Sequence, residues 1–286
     1  MSKNRSKIDH ETALEYGVAL GKTLKVNHTP VRSAFFYRDG RGDQPPPAAR
    51  LLTNRSHNGL HLKLALLYLW GGTSGNPDPE TGEIHTIRRF HDSFIANLFG
   101  FPDPDGNGKR RVANARKRLA EMGLIRLDER KGHSPQIRLL NEGGTGDPYI
   151  PPGSEEGGGK YQKLPRGFWT GGWHSALSGP AVVALLVLAH MKSTTNDPEI
   201  WVNPTFREDH FGFSEDTWYA GANELCRVGL ADRLSKPVRE PWKDESRRRR
   251  YKYLFDLGRL ATATPPTVPD PYQIIDEDAE ARAKSL

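Results

Sequence analysis

A single cysteine, Cys226, stands in a chain of 286 residues, which excludes an internal disulfide framework and any cysteine-based zinc site. Long apolar runs are also lacking. The two richest stretches, residues 62–70 and 181–190, are interrupted or too short to span a bilayer. Lys3, Arg5 and Lys7 are followed by no apolar segment, so no signal peptide is expected. The chain has no phosphate-cradling glycine loop ending in Lys-Ser or Lys-Thr, no Gly-x-Ser-x-Gly, no His-Glu-x-x-His and no calcium loop. Its histidines do not cluster, and the pair His57 and His61 has no third ligand nearby. These absences give the expectation of no catalytic residues, no metal and no cofactor.

What is present is positive charge. Lys and Arg number 41 against 35 Asp and Glu, for a net charge of +6, with a pI of about 9.3 and a mean hydropathy of −0.68. This balance favours a polyanionic partner. The excess is concentrated in residues 107–141. Lys109, Arg110, Arg111, Arg116, Lys117 and Arg118 crowd one short helical stretch. At 100° per residue, Val112, Ala115, Leu119 and Met122 form its buried stripe. Arg110, Ala113, Asn114 and Lys117 project the opposite way, and Arg111, Arg116 and Arg118 flank the stripe. Gly123 suits a left-handed C-cap. Strand-like runs at 124–130 and 136–140 follow, joined by a turn over 131–135 that includes Lys131. The plainer reading is a solvated basic helix beside an ordinary hairpin.

The length allows roughly two domains with real cores. Residues 1–55 read as an N-terminal arm, partly disordered. Its helical pattern over 11–26 is weakened by Gly17 and Gly21, residues 33–37 suggest a short strand, and Pro45-Pro46-Pro47 forces a loop. A first domain spans 56–142, with an apolar helix over 59–70, a small strand ending at 87 and a second helix over 88–99. Residues 143–160 are rich in Gly and Pro without periodicity and read as a flexible linker. A second domain, 161–260, repeats the landmarks of the first. ALLVL at 184–188 echoes ALLYL at 65–69, Phe211-Gly212-Phe213 echoes Phe99-Gly100-Phe101, and ELCRVGLADRL echoes RLAEMGLIRL. Residues 261–286 form an acidic C-terminal tail. Trp169 and Trp173 read as an apolar entry to the second core rather than as base-stacking groups. The second copy's third helix starts at Ser214 and exposes Asp216, Ala220, Asn223 and Arg227, a poor groove reader. Positive charge moves into its wing, at Arg233, Lys236 and Arg247 to Arg250.

Helix, short strand, helix, basic helix and hairpin, in two copies, resembles two winged-helix DNA-binding domains in tandem, as in plasmid replication initiators and bacterial winged-helix regulators. The resemblance implies a mainly α fold with small β wings (α+β). It implies a third helix in the major groove of double-stranded DNA, with Arg110, Asn114 and Lys117 at base edges. Lys109, Arg111, Arg116, Arg118, Lys131, Arg233, Lys236, Arg247, Arg248, Arg249 and Arg250 would then meet the backbone. The function implied is sequence-specific DNA binding by a transcriptional regulator or plasmid-type replication initiator, cytoplasmic and nucleoid-associated, with no membrane partner. Two alternatives stand beside it. One is a protein-interaction scaffold, with a protein partner or self-association through domain 2. The other is single-stranded nucleic acid or RNA binding, which needs exposed aromatics on a basic face, with Tyr219, Trp242 and Tyr251 as candidates.

Overall fold

Two helices are apolar around their whole circumference, and a helix of that kind has to be covered on every side. The computed structural model describes residues 8–24, 26–40, 42, 44–52, 57–72, 86–87, 90–128, 135–154, 158–237, 249–263 and 265. The chain opens with α1 (His10–Thr23), β1 (His28–Arg32), a 3₁₀ turn at Ser33–Phe35 and α2 (Pro47–Leu52). The first all-apolar helix is α3 (Leu60–Gly72), buried at every position except His61. It is followed by β2 (Thr86–Ile87), α4 (Asp92–Leu98), α5 (Lys109–Glu121), β3 (Ile125–Asp128) and β4 (Gln136–Leu139). After β5 (Tyr161–Pro165) and the short turns α6 (Gly167–Thr170) and α7 (Trp173–Ala176) comes the second, α8 (Gly179–Thr194), buried from Ala181 to His190. The chain then runs through α9 (Pro204–Phe206), α10 (Glu215–Arg227), β6 (Ala231–Pro237), β7 (Arg249–Phe255) and α11 (Arg259–Thr262). The fold is mixed α+β with small antiparallel sheets, and no helix among the described residues is long and apolar enough to cross a membrane.

The two halves follow one plan. In the first, the strand order is β2-β4-β3, with Ile125 opposite Leu139. In the second, β6 pairs with β7, Ala231 opposite Phe255, and Ile200 bridges to Tyr253 on the far side of β7, which gives the same order. The expected strand at 200–202 is reduced to that single bridge. Each third helix closes on a left-handed glycine, Gly123 at φ 68° and Gly229 at φ 76°. The N–H of Leu124 then reaches back to the Leu119 carbonyl at 3.1 Å, and that of Leu230 to Leu225 at 2.9 Å. A side chain at either glycine would strain this closure.

The halves are not separate bodies on a flexible tether. One continuous hydrophobic core runs through both. Trp70 of α3 stacks on Trp169 of α6, with ring centroids 5.4 Å apart and planes within 4°. A Cβ on Gly59 would lie 2.5 Å from the Gly179 Cα, so the N-termini of α3 and α8 meet backbone to backbone. Trp169 and Trp173 are fully buried; their indole N–H groups donate to Thr29 Oγ1 at 3.1 Å and to the Leu260 carbonyl at 3.1 Å. Both lie in the core, as expected.

Four expectations are revised here. Residues 143–160, expected as a flexible linker, are tied down at both ends. Leu140 bridges to Pro148 and Tyr149 is buried. The Arg32 guanidinium pairs with the buried Glu142 at 3.2 Å and donates to the carbonyls of Ile150 and Gly158. Burial pushes the Glu142 carboxyl up, and Arg32 pulls it back. Residues 1–55 are expected as an N-terminal arm, partly disordered; its described residues, 8–24, 26–40, 42 and 44–52, hold α1, β1, the 3₁₀ turn and α2. β1 pairs with β5 in the second half, His28 opposite Pro165, and the strand lies before residues 33–37 rather than within them. In α1, Gly17 and Gly21 are not weak points but approach points, since a Cβ at Gly17 would stand 2.4 Å from the Trp169 carbonyl oxygen. Residues 1–7 and the tail from 266 lie outside the described residues.

Because α3 and β1 are covered by elements of the second half, a fragment of residues 1–142 should lack a cooperative urea transition and near-UV circular dichroism, whereas the full chain should show both. A cooperative transition from the fragment would show the shared core to be dispensable. A second prediction concerns pH. His174 is fully buried at the seam, with Nε2 2.8 Å from the Leu98 carbonyl oxygen, and burial pushes its imidazole down from 6.5 to about 4. His190 is displaced by burial to about 4 as well. The native state therefore holds both rings neutral while the unfolded chain protonates first. Their contribution is complete above pH 6.5 and is lost as the pH falls towards 4. Urea midpoints should drop through that window, and His174→Gln should flatten the drop.

Candidate nucleic-acid interface

The basic helix α5 is set up from its N-terminal side. The Asp103 carboxylate accepts from the N–H groups of Gly106 at 3.0 Å and Asn107 at 2.8 Å, and these bonds hold it below the usual carboxylate range. A single π turn at Pro104–Gly108 then leads into the helix. Val112, Ala115, Leu119 and Met122 are all buried, so the expected stripe is the one that packs inward. Arg110, Ala113, Asn114 and Lys117 are exposed on the other side. Arg110 is steadied by Asn107 Oδ1 at 2.8 Å, one turn back. Asn114 and Lys117 have no side-chain hydrogen bond among the described residues. Three polar groups at i, i+4 and i+7 thus form one open stripe.

The flanking cations divide into surface and core. Lys109 pairs with Asp105 at 2.9 Å, both largely exposed. Arg111 lies over the Phe101 ring at 5.4 Å, and Arg118 reaches Glu121 at 3.5 Å. Arg116 is different: it is only 4% exposed. Its Nε donates to Tyr68 Oη at 3.3 Å, and its guanidinium forms an ion pair with Asp92 in the first turn of α4. Burial pushes the Tyr68 hydroxyl up, and Arg116 opposes that shift. Arg116, expected at the DNA backbone, is therefore a tie between α5, α3 and α4. It stands one turn after Val112, on the inner face; its counter-charge comes from Asp92 and its acceptor from Tyr68, neither of which helical spacing within α5 can reveal. Lys131, Arg247, Arg248 and Trp242 lie outside the described residues.

The corresponding corner of the second half carries other chemistry. Trp218, Ala222, Leu225 and Val228 are buried, as expected, and Ser214 caps α10 by accepting from the Thr217 N–H at 3.3 Å. Glu215, Asp216, Ala220, Asn223 and Arg227 are exposed. Glu224 turns inward and accepts from the Ser178 N–H at 2.7 Å and from its hydroxyl, which locks α10 to the start of α8. Lys63 of α3 is fully buried within electrostatic reach of Glu224. Burial pushes its ammonium down to about 7, and Glu224 opposes this. On the hairpin, Arg233 donates to Asn223 Oδ1 at 2.8 Å and lies over the Tyr251 ring at 4.6 Å. Lys236 is ion-paired with Glu199, Arg249 is bonded to Ser235, and Arg250 lies over Trp201 at 4.2 Å. The sequence reading missed Asp92 and Tyr68 as the seat of Arg116, and Trp201 as the partner of Arg250; no local signal marks any of them.

The placement of Arg116 makes a testable distinction. Arg116→Ala should lower the stability of the chain by about 1–3 kcal/mol in urea denaturation, the cost of leaving the Tyr68 hydroxyl and a partly exposed carboxylate without their partner. A variant of normal stability that loses only salt-sensitive DNA binding would put Arg116 back on the surface.

No family model, curated protein or solved structure matches this chain, so the use of this face has to be read from its own residues.

Proposed function

We propose that this chain is a double-stranded DNA-binding protein of tandem winged-helix type, with α5 lying in the major groove. The observation that carries the reading is the open Arg110–Asn114–Lys117 stripe on a helix whose inner face is fixed by core packing and by the Arg116 tie. Arg and Lys suit guanine O6 and N7, and Asn suits adenine N6 and N7. Lys109, Arg111 and Arg118, spread along the flanks, suit phosphates, which fix register rather than sequence. The shared plan of the two halves, helix, a short strand in the first half and a single bridge in its place in the second, two helices and a hairpin with its second strand in the middle, supports the winged-helix reading. The biological role that fits is a regulator or plasmid-type replication initiator, acting in the cytoplasm on the nucleoid or a mobile element, as a binding protein rather than an enzyme. The acidic start of α10 favours a different task for the second half.

Arg110→Ala and Asn114→Ala should each remove about 1–3 kcal/mol of discrimination between a duplex selected from a random pool and its scrambled counterpart. Non-specific affinity should change little. Arg111→Ala should weaken all duplexes alike and flatten the slope of log K against log salt by about 0.9. Full discrimination retained by both reading-face variants would sink the proposal.

A further inference from the structure

The two third helices can be compared position by position by counting back from their capping glycines, Gly123 and Gly229. Where α5 has Lys109 and Arg110, α10 has Glu215 and Asp216; where α5 has the small Ala113, α10 has Tyr219. Across from Tyr219, on the hairpin, stands Tyr251. It is 41% exposed and is the one aromatic among the exposed large hydrophobic side chains of the described residues. The two rings meet edge to face, with centroids 6.3 Å apart and planes at 89°. Strand register puts Arg233, Ser235, Arg249 and Tyr251 on one face of the β6–β7 hairpin, with Ser235 opposite Tyr251. Arg233 is held over the Tyr251 ring at 4.6 Å by its bond to Asn223. Arg249 is fixed by two bonds to Ser235, at 2.6 and 2.8 Å. Arg250, on the opposite face, lies over Trp201.

This corner is poorly suited to a duplex. A helix entering a groove brings its first turn close to the phosphates of two strands, and here that turn carries two exposed carboxylates. One strand alone has a smaller footprint. It brings fewer phosphates than a duplex to Glu215 and Asp216, which stand one turn before Tyr219 on α10. Rings that stack on bases, interleaved with arginines that meet the backbone, are what a single strand needs.

We propose that the corner formed by α10 and the β6–β7 hairpin binds single-stranded DNA. Tyr251, backed by Arg233 and flanked edge-on by Tyr219, stacks on a base, while Arg249, on the same face of the hairpin, meets a phosphate. The proposal rests on the reading of the chain as a DNA-binding protein but uses a different face from α5, so the two can fail separately.

The test uses the full chain and fluorescence anisotropy with two probes, a labelled oligo(dT) of about 20 nucleotides and a labelled duplex of the same length carrying the sequence selected from the random pool. Tyr251→Ala should weaken oligo(dT) binding about tenfold or more and leave the duplex unaffected, while Tyr251→Phe should retain binding to both. Arg110→Ala should show the reverse pattern. Because Tyr251 is exposed, its truncation should leave the circular dichroism spectrum and urea midpoint unchanged. Wild-type chain that ignores oligo(dT), or a Tyr251→Ala variant that binds it normally, would overturn the proposal. A Phe variant that falls as far as the Ala variant would overturn it too, since stacking needs the ring and not the hydroxyl. Oligo(dT) binding that survives while no duplex is bound would overturn the α5 reading alone.

Discussion

The burial of α3 and α8 on all sides constrains nearly everything else in this molecule. Six leucines of α3 are buried, and each is worth about 1.5–3 kcal/mol when fully removed from water. Their sum is comparable to the whole net stability of an ordinary domain, about 5–15 kcal/mol. No half of the chain covers its own apolar helix completely. β2, β4 and α5 pack on part of α3; the rest is closed by β1, α2, α8 and Trp169. The Gly59–Gly179 contact brings the two helix starts close enough for this closure. The result is a pair of similar units fused at a common core, with their third helices and hairpins left at the surface.

Much of each unit is legible in the sequence because its cues are local. The stripe Val112, Ala115, Leu119 and Met122 follows from helical spacing, and Gly123 and Gly229 mark helix ends by the one conformation they supply cheaply. The repeat is readable for the same reason, since ALLYL and ALLVL, and the two Phe-Gly-Phe corners, recur in order. The connections between units are not legible. Gly- and Pro-rich residues after Glu142 have no periodicity, so composition alone assigns them to a tether. What holds them is Arg32, more than a hundred positions away in sequence. Likewise nothing in HTPVR names YQKLP as its antiparallel partner. The open stripe of α5 could be read from spacing, but the inward turn of Arg116 depends on Asp92 and Tyr68, which come from other helices.

The net charge of +6 therefore says less about the surface than it first suggests. Arg32, Arg116 and Arg207 have side chains 12%, 5% and 2% exposed, and each serves as an internal clamp on carboxylates or carbonyls. Guanidinium suits this work because it stays charged and offers several donors in one plane. The cations left for a partner are fewer and more localised, on α5 in one half and on the hairpin in the other. The two corners share a backbone plan yet differ in side chains: lysine, arginine and asparagine in the first, paired acids and tyrosines in the second. One architecture thus presents two surfaces of different character, held in a fixed relation by the core beneath them.

The pairing of β1 with β5 also has a consequence for synthesis. A ribosome adds about 5–20 residues per second, and the roughly 120 residues between the end of α3 and the end of α8 take about 6–24 s to emerge. For part of that interval the first strand lacks its partner β5 and the first apolar helix has only the partial cover of α5 and its own hairpin.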